Sequence, residues 1–136
     1  MLDSFPCFRP VTITMETDEV TSVCPKTGQP DWYTVRIQYR PLDAAIESKS
    51  LKLYLQEFRN RGVFCEALAA EILDEVVNSI EPEFCTVTVT QKPRGGVTIV
   101  SEIHYDSADA VGVDEDTEAA AAGATPPHNQ QHTEDA

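Results

Sequence analysis

WYTVRIQYR, residues 32–40, is the stretch that decides the fold, because apolar and polar side chains alternate regularly from Tyr33 to Arg40. A period of two is typical of a β-strand that buries one face and exposes the other. The side chains predicted to share the buried face are Tyr33, Val35, Ile37 and Tyr39. The chain is therefore expected to fold around a sheet that contains this strand.

The segments on either side complete a small domain. Alternation predicts further strands at residues 11–15, 85–90 and 97–100. The spacing i, i+3, i+4, i+7 predicts a helix at residues 51–58, and apolar residues at every fourth position predict a second helix at residues 64–80. We expect Ser48 or Ser50 to cap the first helix and residues 92–96 to form a hairpin turn. The predicted fold class is α+β, an antiparallel four-stranded sheet with two helices packed on one face. Because so small a sheet leaves open edges, an oligomer is also expected.

The segment before the central strand, VTSVCPKTGQPD at residues 20–31, contains a thiol and a carboxylate. Two prolines and a glycine exclude a helix, so the segment is predicted to be a constrained loop. A thiolate is a strong nucleophile near neutral pH, and a carboxylate can exchange protons with the reacting group. Cys24 and Asp31 are candidate catalytic residues, although a buried inert cysteine and a solvated turn carboxylate fit the same pattern.

Composition limits the classes of function. The 136 residues carry a net charge of −13, which disfavours binding to nucleic acid phosphates. No run of about 18 apolar residues and no signal peptide is visible, so no membrane association and a cytoplasmic location are expected. The four cysteines lack a CxxC spacing and the three histidines all lie late in the chain, so we expect reduced thiols and no metal.

The charge distribution separates a tail from the domain. All ten Lys and Arg residues lie at or before Arg94, whereas the segment after Tyr105 is acidic and contains an alanine run and two prolines. Such a composition cannot contribute to a core. The predicted organisation is a domain at residues 1–105 and a disordered tail at residues 106–136.

Two further groups of charged residues suggest a ligand. Lys49, Lys52 and Arg94 would suit an anionic ligand, and Glu47 or Glu66 could accept two N–H donors from a purine-like edge. Each group is also compatible with an ordinary solvated surface.

The stretches SVCPKTGQPD at residues 22–31, ESKSLKLY at residues 47–54 and PRGG at residues 93–96 resemble the NADPH-dependent 7-cyano-7-deazaguanine reductases. These are the nitrile reductases of queuosine biosynthesis, which belong to the tunnelling-fold superfamily. The resemblance extends from about residue 12 to residue 105. It implies reduction of the nitrile of 7-cyano-7-deazaguanine to an aminomethyl group, without a metal, in a homo-oligomer of two stacked pentamers with sites between subunits.

The resemblance also implies residue roles. Cys24 attacks the nitrile carbon to give a thioimide, Asp31 donates a proton to the nitrile nitrogen, and two NADPH are consumed. The residues implied to hold the deazaguanine are Ile46, Glu47, Ser48, Cys65 and Glu66. The residues implied to lie near the NADPH phosphates are Lys49, Lys52 and Arg94.

Cys65 departs from the family pattern, which usually has histidine before the recognition glutamate. A thiol is a weak hydrogen-bond donor, so the contact of that histidine to the base is weakened or lost. We also expect Cys65 to lie in the pocket of Cys24, where the two could form a reversible disulfide. Two other functions fit the pattern, namely an amidinotransferase-like relative acting on a nitrile-bearing tRNA base and a non-catalytic purine- or pterin-binding protein.

Overall fold

A computed structural model describes residues 1–109 of the chain. Residues 1–106 form two sheets and two helices, and residues 107–109 are also helical. The larger sheet has the antiparallel order β2-β3-β5-β6, and the smaller one pairs β1 with β4. The elements in chain order are β1 (Ser4–Pro6), β2 (Ile13–Val23), β3 (Pro30–Arg40), β4 (Ala44–Ile46), α1 (Ser48–Gln56), α2 (Cys65–Ile80), β5 (Phe84–Arg94) and β6 (Val97–Asp106). The predicted α+β class and antiparallel four-stranded sheet are confirmed.

The central strand is β3, which pairs with β2 on one side and β5 on the other. Its four predicted core side chains are buried, each at most 1% exposed. Leu68, Ile72 and Val76 of α2 are completely buried in the same cluster. Burial of this apolar face is the main stabilising contribution to the domain.

The strands are longer, and the turns shorter, than the sequence predicts. β2 continues to Val23, so the predicted loop at residues 20–31 is only the segment between β2 and β3. The predicted five-residue turn at 92–96 was also wrong, because β5 and β6 are joined by Gly95 and Gly96 alone. Both glycines have positive φ, 62° and 84°, which a two-residue turn of this kind requires.

The predicted cap of α1 was also wrong, because Glu47 is the N-cap instead of Ser48 or Ser50. Its carboxylate accepts hydrogen bonds of 2.8 Å from the backbone N–H groups of both Lys49 and Ser50. These bonds satisfy two of the open donors of the first turn and lower the pKa of Glu47. The glutamate that the sequence suggests for ligand binding therefore has a structural partner within its own chain.

Two β-bulges decide which residues face the core near the ends of the strands. In β2 the register shifts between Thr17 and Val20, so the buried positions change from odd to even numbers. In β5 the register with β6 shifts between Gln91 and Arg94. A bulge inserts one residue into one strand of a pair, which reverses the face of every later side chain. Cys24 and Arg94 thus belong to the inner face, on which regular strands would not place them.

Near the N-terminus, residues Ser4–Pro6 form β1, which pairs with β4. No helix in residues 1–109 is long and apolar enough to cross a membrane. The predicted disordered tail lies outside the described residues from residue 110 onward, and Asp106 ends β6.

Candidate active site

The short segment between β2 and β3 holds Cys24 at its first position. The Cys24 N–H donates to Gln29 O and the Gly28 N–H donates to Cys24 O, both at 2.8 Å. Gly28 has φ 74°, a left-handed conformation that glycine adopts at little cost. The turn is closed by these bonds, so the position of Cys24 follows directly from the two strands. Its side chain is buried, at 6% exposure.

Hydrogen-bond donors around the Cys24 thiol favour its ionised form. Hydrogen bonds from the Thr27 hydroxyl and from the Thr27 and Lys26 amides lower the pKa of Cys24 to about 7, with a smaller contribution from the charge of Arg94. A thiolate surrounded by donors in a turn resembles an anion in a backbone nest. The Cys24 thiol is therefore about half ionised at neutral pH, which suits a candidate nucleophile.

Asp31 lies next to Cys24 on the inner face of the sheet. It is opposite Ser22 in the β2–β3 register, and Cys24 follows two positions after Ser22. Diagonal neighbours of this kind have Cβ atoms about 7–8 Å apart or somewhat less, so one small substrate group can reach both side chains. The structure thus brings the two predicted catalytic residues together.

Arg94 joins this pair. Its Nε lies 2.6 Å from Asp31 Oδ1, and Asp31 is buried while the Arg94 side chain is 41% exposed. The sequence suggests Arg94 as a phosphate ligand and contains no signal for a contact with Asp31, because the contact depends on the β5 bulge.

Cys65, at the first position of α2, is a buried thiol held by β5 and β6. Its Sγ donates weakly to Val89 O at 3.6 Å and accepts from Ser101 Oγ at 3.5 Å. Burial raises the pKa of Cys65, so this thiol is neutral at physiological pH. Both Cys24 and Cys65 are free cysteines, and a disulfide between them stays a prediction. Glu66, the next residue, is exposed in the first turn of α2.

The predicted base-binding residues of the α1 segment lie far from Cys24 within one chain. The Ile46 N–H donates to Tyr39 Oη at 2.9 Å, and Tyr39 lies near the end of β3 opposite to Asp31. Asp31 and Tyr39 are eight positions apart on β3, so their Cα atoms are separated by roughly 25 Å. Ile46, Glu47 and Ser48 are therefore not part of the Cys24 cluster of the same chain.

A groove of about 240 Å³ lies between α1 and the paired strands β2 and β3. Ser48, Lys52 and Arg59 line it, together with apolar residues of both layers. Lys49 and Lys52 are exposed, and neither forms a salt bridge in the part of the chain that the structure describes. Exposed ammonium groups one helical turn apart fit the phosphates of a dinucleotide.

Thr27 also belongs to the surroundings of Cys24, although its sequence position does not predict this. Its hydroxyl also accepts the Gln29 N–H at 3.2 Å, which fixes it within the turn. The sequence feature that could have indicated its role is a hydroxyl-bearing residue three positions after a candidate nucleophile.

The pH dependence of Cys24 alkylation tests this arrangement. A lowered pKa means that the thiolate is present above about pH 7 and is lost as the pH falls below it, so reaction with iodoacetamide should have its midpoint near pH 7. Thr27→Val, which removes the hydroxyl and keeps the shape, is expected to raise the midpoint and slow the reaction at pH 7 about fivefold. Peptide mass spectrometry quantifies labelling at Cys24, with Thr27→Ser as the matched control. An unchanged midpoint in Thr27→Val would contradict the hydrogen bond.

Known proteins resemble this chain in sequence. Residues 30–110 match the family model for QueF-like proteins. The chain is 46% identical over 107 residues to the NADPH-dependent 7-cyano-7-deazaguanine reductase of Syntrophus aciditrophicus, covering 76% of each sequence. It is 46% identical over 101 residues to the reductase of the same name from Prosthecochloris aestuarii, covering 74% of this chain and 86% of that protein.

A solved structure shares the fold. The crystal structure of an archaeosine synthase QueF-Like in the apo form superposes with a TM-score of 0.67 at 26% identity, over 71% of this chain and 94% of that one. The extent of these matches, with the Cys24–Asp31 pair on one sheet face, shows that the chain belongs to the QueF-like family, alongside the NADPH-dependent 7-cyano-7-deazaguanine reductases.

Proposed function

We propose that this protein reduces the nitrile of 7-cyano-7-deazaguanine to an aminomethyl group, consuming two NADPH per turnover. The observation that carries the proposal is the Cys24–Asp31 pair, a thiol with its pKa lowered to about 7 beside a buried carboxylate. A nitrile carbon is an electrophile that a thiolate can attack, and its nitrogen then needs a proton. The relatives named as reductases of this nitrile support the choice of substrate.

The chemistry proceeds through the sulfur of Cys24. The sulfur of Cys24 attacks the nitrile carbon and forms a C–S bond, while the thiol proton passes to the Asp31 carboxylate, which delivers it to the nitrile nitrogen and leaves a thioimide. Bound NADPH supplies a hydride for each of the two reductions. After the first reduction the C–S bond breaks, the thiolate of Cys24 leaves, and an imine remains. The second reduction and a second proton give the amine.

The cofactor is proposed to bind along α1. Lys49 and Lys52 are exposed cations without an ion-pair partner among the described residues, and Lys52 lines the groove together with Arg59. The donor set suits phosphates, which are the strongest anionic groups of NADPH.

The active site is proposed to be shared between subunits of a ring, in a decamer of two stacked pentamers. The distance between the Cys24 cluster and the segment Ile46–Ser48 in one chain supports this arrangement, since both groups are needed by the same small base. Cys65 and Glu66 are proposed to contact the base from the start of α2. The open edges of β2 and β6 provide surfaces for ring closure.

One assay tests the function. Purified protein is mixed with 7-cyano-7-deazaguanine and NADPH, and the loss of reduced cofactor is compared with the amount of aminomethyl product. We expect two NADPH oxidised per product. A covalent adduct without NADPH oxidation would instead favour amidinotransferase-like chemistry, and neither adduct nor oxidation would favour a non-catalytic binding protein.

A further inference from the structure

Arg94 is an exposed cation that makes its one described ion pair with a buried carboxylate. Asp31 is only 3% exposed, and among residues 1–109 its Oδ1 has no conventional hydrogen bond, so the guanidinium is its charge partner. An unpaired buried charge is costly, whereas an exposed arginine is not. Loss of the contact would therefore destabilise the charged form of Asp31 more than that of Arg94.

The backbone around Arg94 is built to make this contact. The bulge after Gln91 turns Arg94 to the inner face, and the turn Gly95–Gly96 sets it opposite Val97. In a regular strand Pro93 would occupy the inner position and Arg94 would point to the other side of the sheet. A residue that bound only cofactor phosphates from a flexible tip would not need this register.

We propose that Arg94 is a positioning residue of the catalytic pair, whose guanidinium fixes the Asp31 carboxylate beside Cys24 and balances its charge. The inference deepens the proposed function and rests on it for the roles of Cys24 and Asp31. Since the two charges of the ion pair offset each other near the sulfur, the ionised form of Cys24 is tolerated next to a carboxylate. The contribution of the Arg94 charge to the lowered pKa of Cys24 is consistent with this role.

The test is the alkylation of Cys24 in the absence of substrate and NADPH. Arg94→Met removes the cation and leaves Asp31 uncompensated, so the alkylation midpoint is expected to rise by about one pH unit. At pH 6 the reaction should then slow roughly tenfold. Arg94→Lys should restore part of the shift, because it keeps the charge without the planar guanidinium. Lys92→Met removes a neighbouring exposed cation and is the matched control, expected to leave the midpoint unchanged.

If Arg94→Met alone unfolds, a double variant provides a second test of the proposal. Asp31→Asn/Arg94→Met has no buried charge, and its midpoint should return toward that of the wild-type protein. Circular dichroism establishes that each variant is folded. The proposal is overturned if Arg94→Met leaves the alkylation profile unchanged and only raises the KM for NADPH, which is the behaviour of a phosphate ligand. Because alkylation needs neither substrate nor cofactor, a failure of the reductase assay would not affect this result.

Discussion

Replacing Cys24 with alanine is expected to reduce turnover of 7-cyano-7-deazaguanine by roughly a thousandfold or more, because the reaction loses its nucleophile. The fold should persist, since the substitution removes one sulfur at the edge of the core and leaves the backbone hydrogen bonds of the turn intact. NADPH oxidation measures the rate, and the mass of the intact protein shows whether a covalent adduct forms. We expect neither in Cys24→Ala.

The control for this variant is Cys7→Ala. Cys7 is a half-buried free thiol after β1, outside the Cys24 cluster, and its loss should leave both turnover and adduct formation close to the wild-type level. An adduct that persists in Cys24→Ala would assign the nucleophile to another residue and refute the mechanism.

Mixing two inactive variants is expected to restore activity. Glu47→Gln keeps an oxygen that can cap α1 but loses the carboxylate proposed to hold the base. If Cys24 and Glu47 act together across a subunit boundary, random assembly of equal amounts of Cys24→Ala and Glu47→Gln chains makes one intact site in four. Activity should therefore rise from near zero to about a quarter of the wild-type rate.

The measurement compares chains coexpressed or refolded together with chains mixed after folding. Pairing Cys24→Ala with Asp31→Asn is the matched control, because both residues lie in one cluster of one chain and no intact site can form. Absence of recovery with Glu47→Gln, in mixed oligomers verified by native mass spectrometry, would place the complete site within a single chain.

Local pattern was sufficient for much of the fold. The alternation at residues 32–40 predicts the central strand and its four core residues, and the apolar spacing at 64–80 predicts α2, because these periods match the geometry of the backbone. The cap at Glu47 was missed because serine is the usual capping residue, whereas here the longer carboxylate reaches two amides.

The proximity of Cys24 and Asp31 is predictable from the sequence, because only seven positions separate them along the chain. The sequence places a thiol and a carboxylate at the two ends of a proline- and glycine-containing turn, and it predicts the strand that follows this turn, but not the extension of β2 to Val23. The sequence also indicates that its basic residues contact anions, but it does not show which anion each of them contacts.

Only the tertiary structure decided on which face of the sheet these side chains lie. A bulge adds one residue to a strand and leaves no mark in the hydrophobic pattern strong enough to locate it, yet it reverses every following side chain. The bulges in β2 and β5 turn Cys24 and Arg94 inward, and together they convert a thiol, a carboxylate and a distant arginine into one cluster. Such contacts depend on register between strands, a property of the assembled sheet and not of any single segment.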